Sequence, residues 1–206
     1  MLVKICGLRN RENIEQVVLL QPDFIGLIFY KRSKRYVHPD PILQDYVSRL
    51  NTVKKIGVFV DPYYEEIMSA IADYGLDFIQ LHGNETIAFC NMVNKNIPVI
   101  KAFHIDETFK WQTLEGYIDT TSLFLFDTYT EEYGGSGKKF NWDILNSYKY
   151  NQHFFLSGGI AYEDIDLIKK VSHPYLVGVD INSGIEENPG IKNIHKTKYF
   201  INEIRN

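Results

Sequence analysis

The 206-residue sequence predicts an α/β fold, a (β/α)8 TIM barrel that forms one domain over residues 1–206. Eight apolar segments with strand character recur roughly every 25 residues, and a helical pattern of apolar residues follows each of them. Such alternation indicates parallel βαβ units, and eight units that begin with a strand favour closure into a barrel. No linker splits the chain. An open, doubly wound sheet is the alternative fold.

The first four units each combine an apolar strand with residues that start or stop a helix. Pro22 ends the first helix, whereas Pro39 and Pro41 open the second, because proline lacks an amide hydrogen and suits the first turn. The predicted strands are residues 2–7, 24–29, 56–60 and 77–83, and the predicted helices are residues 14–20, 41–50, 64–72 and 85–93.

The last four units repeat the pattern, although the helix expected after the fifth strand is more polar than the others. The very apolar sixth strand ends at Asp127, and a glycine-rich loop separates it from its helix. The predicted strands are residues 98–103, 122–127, 153–157 and 175–180, and the predicted helices are residues 107–117, 142–148, 162–171 and 192–204.

The composition excludes several classes of protein. A content of 45% hydrophobic and 23% charged residues is ordinary for a globular protein with a core, and the net charge of −4 argues against nucleic acid as a partner. No apolar segment approaches the ~20 residues of a membrane span, and the first residues lead us to expect no secretory signal. The two cysteines, Cys6 and Cys90, lack metal-type spacing, so we expect free thiols and a cytoplasmic location.

Polar residues and glycines cluster where the predicted strands end, while the strands themselves are apolar. In (β/α)8 barrels the carboxyl ends of the strands carry the active site. The residues and loops at these ends are Cys6, residues 31–35, Asp61, His82, His104, Asp127, residues 157–159, Asp180 and residues 182–184.

Two glycine-bearing loops follow the seventh and eighth strands: Ser157-Gly158-Gly159 and Asn182-Ser183-Gly184. Glycine lets backbone amides approach an anion closely, and a helix that begins directly after the first loop would add a favourable dipole. Phosphate groups bind at this position in such barrels. Glycines also serve ordinary turns, so it is the pair of loops that predicts a phosphate site.

The first strand carries a lysine and a cysteine on one face, because strand side chains alternate and Lys4 and Cys6 are two residues apart. A free cysteine is usually a small buried apolar residue, but at the end of a barrel strand it can act in catalysis. Cys90, inside a predicted helix, is expected to be structural. Lys4 could tune the thiol of Cys6, or it could pair with Asp180, which is also expected to face the interior.

Three more side chains and one loop are candidates at this face. Asp127 ends an apolar strand, where a carboxylate is costly unless it is paired or acts as an acid, although it could cap the next loop. Arg35 ends a basic segment and could grip a carboxylate in a bidentate pair, or belong to a solvated loop. His82 could contact a ligand or be structural. Residues 134–137, Gly-Gly-Ser-Gly, could form a lid or a linker.

A set of short motifs runs in order along the chain. They are Lys4-Ile5-Cys6-Gly7, Ser33-Lys34-Arg35-Tyr36-Val37, Gly57-Val58-Phe59-Val60, Gln80-Leu81-His82-Gly83, Phe126-Asp127-Thr128, Gly134-Gly135-Ser136-Gly137-Lys138, Leu156-Ser157-Gly158-Gly159, and Asp180-Ile181-Asn182-Ser183-Gly184-Ile185-Glu186 with Pro189-Gly190 and Lys192. The set resembles the phosphoribosylanthranilate isomerase family of tryptophan biosynthesis over essentially the whole chain. Asn193 departs from the family pattern, where an aspartate often follows the lysine, and residues 105–117 carry no family signature.

The resemblance implies an Amadori rearrangement of N-(5-phosphoribosyl)anthranilate to 1-(2-carboxyphenylamino)-1-deoxyribulose 5-phosphate. Cys6 would be the general base, which requires a lowered thiol pKa, and Asp127 the general acid. Arg35 would hold the anthranilate carboxylate. The phosphate and the rest of the substrate would contact His82, Ser157, Gly158, Gly159, Asp180, Asn182, Ser183 and Gly184.

No metal or organic cofactor is implied by the resemblance. The expected partner is the small phosphorylated substrate, without nucleic acid or membrane, and the protein would act as a monomer or homodimer. Four other functional hypotheses compete with the isomerase. They are a histidine-pathway sugar-phosphate isomerase, which would have a carboxylate at Cys6; indole-glycerol-phosphate synthase, which needs lysines at the strand ends; a non-catalytic phosphate binder; and a nucleic-acid module built on residues 31–35.

Overall fold

The computed structural model describes residues 1–128 and 142–206, which form a closed barrel of eight strands in sequential order. All eight neighbouring pairs are parallel, and β1 closes the barrel by pairing with both β2 and β8. The strands are β1 (Leu2–Ile5), β2 (Phe24–Ile28), β3 (Lys54–Phe59), β4 (Phe78–Leu81), β5 (Val99–Ile105), β6 (Leu123–Thr128), β7 (Phe154–Ser157) and β8 (Leu176–Ile181). The predicted α/β TIM barrel is confirmed, and the open sheet is excluded.

In the described residues, six α-helices lie outside the barrel: α1 (Arg11–Val18), α2 (Pro41–Ser48), α3 (Tyr64–Tyr74), α4 (Ile87–Asn94), α5 (Ile165–Ile168) and α6 (Ile194–Arg205). Several of these helices have a side-chain N-cap, because the first backbone amides of a helix lack hydrogen-bond partners within the helix. Asn10, Asp40, Thr86 and Asn193 accept these hydrogen bonds at α1, α2, α4 and α6. Within the described part of the chain, no helix has the length and apolar character that crossing a membrane requires.

Three helix predictions are wrong in type or length. The segment predicted as the helix 107–117 is a 3₁₀ helix at Trp111–Thr120, and the helix predicted for 142–148 is a 3₁₀ helix at Trp142–Ser147. The helix predicted for 162–171 is one 3₁₀ turn, Tyr162–Asp164, followed by the single turn α5. The first of these segments contains Gly116, which favours helix poorly, and any side chain there would collide with Ile87.

A small antiparallel hairpin after β8 was not predicted. It consists of β9 (Glu186–Asn188) and β10 (Ile191–Lys192), and it turns at Gly190, whose φ is +86°. Its strands have three and two residues and little apolar character, so sequence periodicity does not reveal them. The hairpin brings Glu186 and Lys192 beside the loop that follows β8.

Apolar side chains form two packed groups, one inside the barrel and one between the barrel and the helices. The inner group consists of Cys6, Phe24, Ile56, Val58, Ile100, Ala102, Leu125 and Phe155. Val3 and Ile5 belong to the outer group, whereas Cys6 belongs to the inner one. The predicted alternation of β1 is therefore confirmed: its lysine and cysteine face the barrel interior.

Candidate active site

A cavity of about 240 Å³ opens at the carboxyl ends of the strands, where the sequence predicts the site. The predicted site residues that line it are Cys6, His82, Asp127, Ser157, Gly158, Gly159, Asp180, Asn182 and Ser183. Ile28, Val58, Gln80 and Ile160 complete its wall. The fold thus brings a thiol, two carboxyl groups, an imidazole and two glycine-bearing loops around one space.

Cys6, Lys4 and Asp180 form a buried group at the bottom of the cavity. Lys4 is fully buried and its Nζ donates to Oδ2 of Asp180 at 2.8 Å. The two residues are direct register partners on β1 and β8. Oδ1 of Asp180 is buried without a hydrogen-bond partner among the described residues. Of the two alternatives for Lys4, the pair with Asp180 is present, and it also places the ammonium beside the thiol.

Burial raises the pKa of the Cys6 thiol, and the Lys4 ammonium opposes this rise without cancelling it. For Lys4 itself, burial acts to lower the pKa, but the charges of Asp180 and Cys6 outweigh burial and the pKa is raised. Lys4 therefore carries a positive charge next to the thiol. The lowered thiol pKa expected for a base is not found, because burial of the thiol disfavours the thiolate more than the Lys4 ammonium favours it.

Asp127 lies near the end of β6 and takes its orientation from two histidines. Nε2 of His82 is 3.1 Å from Oδ2 of Asp127, and Nδ1 of His82 is 2.8 Å from Nε2 of Gln80. Because the Gln80 amide nitrogen can only donate, Nδ1 accepts and the proton of a neutral His82 is on Nε2, where it is donated to Asp127. Oε1 of Gln80 is buried with no partner among the described residues.

His104 was placed at the strand ends by the sequence but was assigned no role. It is paired in register with Asp127 across β5 and β6, and its Nδ1 is 3.4 Å from Oδ2 of Asp127. Its side chain is 59% exposed. Partial burial lowers the pKa of His104 despite the opposing charge of Asp127. The imidazole is consequently neutral near pH 7.

The two predicted phosphate loops meet each other at the cavity wall. Gly158 and Gly159 have φ of +93° and +61°, which glycine adopts without strain and which turns the loop back toward the cavity. Gly184 lies behind the lining, where it forms a parallel bridge with Ala161. A side chain at Gly184 would collide with the carbonyl oxygen of Ile160, so glycine is required for this contact between loops.

The helix expected directly after the first of these loops is reduced to a 3₁₀ turn and one turn of α-helix. A dipole of a long helix is therefore not aimed at this place. An anion at these loops would have to be bound by their backbone amides and the hydroxyls of Ser157 and Ser183.

Arg35 lies at the rim of the cavity. Its side chain and that of Asn182 both pack against Gly7, because a Cβ atom at Gly7 would collide with each of them. Its guanidinium is held by Glu186 in a bidentate pair, with Nε and Nη2 at 2.9 and 2.6 Å from the two carboxylate oxygens. Two of its five N–H groups are used in this way. Arg35 is therefore part of an ordered ion pair and not of a solvated basic loop.

Lys192 connects this rim to the second phosphate loop. It is fully buried, and its Nζ donates to Oδ1 of Asn182 at 2.7 Å and to Oε1 of Glu186 at 2.8 Å. Lys192 thus fixes the amide of Asn182, and Glu186 links Lys192 to Arg35. Lys192 and Glu186 lie within the sequence motifs but were assigned no role, because the pair of Glu186 with Arg35 joins distant parts of the chain and the contacts of Lys192 depend on the unpredicted hairpin.

Gln80 is a third residue of the site that the sequence pattern did not mark as functional. It is inward-facing on β4, two residues before His82 and on the same face, which is the sequence signal that could have marked it. The candidate lid at residues 134–137 lies outside the described residues.

Comparison with known proteins places the chain in a family. The family model for N-(5'-phosphoribosyl)anthranilate (PRA) isomerase matches residues 3–203. The N-(5'-phosphoribosyl)anthranilate isomerase of Parabacteroides distasonis is 44% identical over 206 residues, which cover 99% of this chain and 93% of that protein.

Solved structures agree with this match. The crystal structure of phosphoribosyl anthranilate isomerase from Thermotoga maritima superposes with a TM-score of 0.87 at 34% identity, covering 100% of this chain and 99% of that chain. An isomerase structure in complex with reduced 1-(o-carboxyphenylamino)-1-deoxyribulose 5-phosphate has a TM-score of 0.84 at 30% identity, covering 100% of this chain and 98% of that chain. The chain therefore belongs to the N-(5'-phosphoribosyl)anthranilate isomerase family, whose reaction is a step of tryptophan biosynthesis.

Proposed function

We propose that Cys6 and Asp127 are the general base and the general acid of the isomerisation. The observation that carries this proposal is that both side chains line one cavity together with the two glycine-bearing loops. A thiol after β1 and a carboxyl group on β6 provide two proton-transfer groups of different chemistry around the space that a sugar phosphate would occupy. Groups of this kind are what a rearrangement by successive proton transfers requires.

The first step opens the furanose ring. Protonated Asp127 gives its proton to the ring oxygen, the C1'–O bond breaks, and the anthranilate nitrogen and C1' form a positively charged imine. The thiolate of Cys6 then removes the proton from C2', and the electrons of that C–H bond form the enolamine. Tautomerisation gives the ketone, and solvent returns a proton from the thiol to the carboxylate.

The burial of the Cys6 thiol fits a base that acts only when substrate is bound. Burial raises the pKa of the Cys6 thiol in the free protein, so the thiol is mostly protonated there. A cationic imine beside Cys6 would favour the thiolate by direct charge attraction, in addition to the buried Lys4 ammonium. The proton transfer is thereby linked to the intermediate that needs it.

The rim and the loops supply the groups that orient the substrate. Arg35, whose guanidinium Glu186 orients in a bidentate pair, would hold the anthranilate carboxylate by charge-assisted hydrogen bonds. The phosphate would be bound by the backbone of residues 157–159 and 182–184, where Lys192 fixes Asn182.

The sugar hydroxyls have two acceptors available in the cavity. Oδ1 of Asp180 and Oε1 of Gln80 are buried and lack partners among the described residues, although both residues line the cavity. Buried acceptors of this kind normally have a donor, and ribose hydroxyls are donors of suitable size. His82 would contact the substrate beside them and hold Asp127 in position.

The reaction class follows from the same chemistry. Carbon C1' is reduced while C2' is oxidised, which makes the enzyme an intramolecular oxidoreductase of the aldose–ketose type. We place it in the cytoplasm as one catalytic domain over residues 1–206, without a nucleic-acid partner. It would act as a monomer or a homodimer, and a related isomerase from Thermotoga maritima is described as dimeric and as convertible to monomers.

The test of the function is a direct assay with complementation. Purified protein should quench the fluorescence of the anthranilate substrate as it is rearranged, and the gene should restore growth of a tryptophan auxotroph that lacks the isomerase. A soluble, correctly folded protein that binds inorganic phosphate but does neither would be a phosphate-binding protein, and the proposal would be wrong.

A further inference from the structure

We propose that His82, His104 and Asp127 form a binding site for a transition-metal dication, with Zn²⁺ as the probe, and that the bound ion inhibits the isomerase. One ligand atom of each residue lies within 4.8 Å of those of the other two. The three residues come from β5, β6 and the loop after β4, so they converge only in the folded barrel. In this proposal the ion is an inhibitor and not a cofactor of the reaction.

The distances fit tetrahedral zinc without a large movement. Zinc binds imidazole nitrogen at ~2.0–2.1 Å and carboxylate oxygen at ~2.0–2.2 Å, so two ligand atoms of a tetrahedron are about 3.4 Å apart. Oδ2 of Asp127 is 3.1 Å from Nε2 of His82 and 3.4 Å from Nδ1 of His104. The two histidine nitrogens are the remaining pair, and they too lie within 4.8 Å of each other. The side chain of His104 is 59% exposed, so a rotation of its ring would close this distance.

The surroundings of His82 can support a metal ligand. A ligating histidine normally donates a hydrogen bond through its other ring nitrogen, which fixes the ring. Nε2 of His82 is directed at Asp127, and Nδ1 is 2.8 Å from the Gln80 amide. When zinc replaces the proton on Nε2, the proton moves to Nδ1, and a rotated Gln80 amide accepts it through Oε1, which lacks a partner among the described residues. The two imidazole rings are neighbours, with centroids 5.3 Å apart.

The ligand types select the class of ion. Two imidazoles and one carboxylate suit Zn²⁺ and its neighbours in the first transition row, whereas Mg²⁺ and Ca²⁺ prefer oxygen ligands alone. Three protein ligands leave a fourth position on a tetrahedral ion for water. The Cys6 thiol in the same cavity is the rival ligand, so the experiment has to separate the two.

Inhibition is the consequence for function, and this part rests on the proposed role of Asp127. An ion that takes Oδ2 of Asp127 as a ligand prevents that carboxyl group from carrying the proton to the ring oxygen. The ion also places a positive charge where the cationic imine would form. Substrate turnover should fall in proportion to the fraction of enzyme that has bound zinc.

The experiment uses untagged, full-length protein, because an affinity tag of histidines would itself bind zinc. Zinc affinity is measured by competition with a fluorescent chelator for the wild type, His104→Gln and Cys6→Ser. His195→Gln is the matched control, since His195 is exposed on α6, away from the site. Cobalt is added to separate samples, and turnover is followed during a zinc titration.

One equivalent of zinc should bind, His104→Gln should weaken binding at least tenfold, and Cys6→Ser and His195→Gln should not. The cobalt protein should show tetrahedral bands without a thiolate-to-cobalt charge-transfer band. Unchanged affinity in His104→Gln, or affinity lost in Cys6→Ser, would overturn the site; circular dichroism confirms that each variant is folded. Zinc bound in this way with turnover undiminished would instead support the site and contradict the catalytic role of Asp127.

Discussion

The position of Lys4 determines what kind of base Cys6 can be. A buried ammonium, a buried carboxylate and a thiol share the floor of the cavity, and Lys4 forms an ion pair with Asp180 at 2.8 Å. The charge of Lys4 lowers the thiol pKa, while burial raises it more strongly. Lys4 thus limits the cost of forming a thiolate at a buried position.

Replacing Lys4 by methionine should raise the thiol pKa of Cys6 further, because the neighbouring positive charge is lost and the burial remains. The rate rises with pH as the thiolate forms, so the alkaline rise of kcat should move to higher pH, and kcat near pH 7 should fall by roughly 10²-fold. The measurement is the pH profile of kcat together with alkylation of the thiol by iodoacetamide. Cys6→Ser gives the background from the buried Cys90. An unmoved profile would show that Lys4 does not act on the thiol.

At the scale of elements, the β9–β10 hairpin organises the rim. Glu186 on β9 holds Arg35, and Lys192 on β10 holds both Glu186 and Asn182. The short hairpin therefore joins the group that would clamp the substrate carboxylate to the loop that would bind its phosphate. It buries few side chains, so its contribution to the site is mainly positional.

The substitution Glu186→Gln should make Arg35 less ordered and change how the stability of the protein depends on pH in the acid range. Burial raises the pKa of Glu186, but hydrogen bonds from Arg35 and Lys192 outweigh burial and lower it below its usual value of 4.5. Because the folded pKa is depressed, the pairs stabilise the protein above pH 4.5, and this stability is lost as the pH falls through the folded pKa. The unfolding free energy of the variant should therefore depend less on pH in the acid range. Its KM should rise roughly tenfold, which corresponds to the loss of one charge-assisted hydrogen bond.

Urea unfolding across the acid range and steady-state kinetics measure these effects. Glu187→Gln is the matched control, because Glu187 is exposed on the same strand and bonds only Asn193 in the contacts of the described chain. If both variants behaved alike, the ion pairs of Glu186 would not be what orders Arg35.

For the whole molecule, the pair of Lys4 with Asp180 lies where the first and last strands of the barrel meet. Breaking a buried ion pair by removing one partner leaves an unpaired charge and typically costs ~3–5 kcal/mol, whereas an apolar pair of similar volume is often tolerated. Lys4→Met should therefore destabilise the barrel by about that amount. Lys4→Met/Asp180→Leu should recover most of the loss while remaining inactive.

Denaturant unfolding of the two variants beside the wild type tests this account of closure. A double variant that is as unstable as Lys4→Met would mean that the ion pair is required for the fold itself. Full activity in the double variant would show that neither residue takes part in the chemistry.

The barrel was predictable because parallel strands buried on both faces form apolar segments, and because polar residues and glycines follow them at regular spacing. The 3₁₀ helix Trp111–Thr120 was not predictable, because the close approach of Gly116 to Ile87 exists only in the folded protein. The cavity lining was largely predicted from strand ends alone. The pairs of Arg35 with Glu186 and of Gln80 with His82 were not, because a sequence position says which face a side chain is on but not which partner it meets.

The most direct test of the central claim is the single-turnover rate of Cys6→Ser with the anthranilate substrate, read by fluorescence at saturating enzyme. Serine keeps the size of the side chain but is a far weaker base, so substrate should still bind while the rate falls by at least 10²-fold, the usual contribution of a general base. A rate within about tenfold of wild type, which is a barrier change of only ~1.4 kcal/mol, would contradict the assignment of Cys6 as the base.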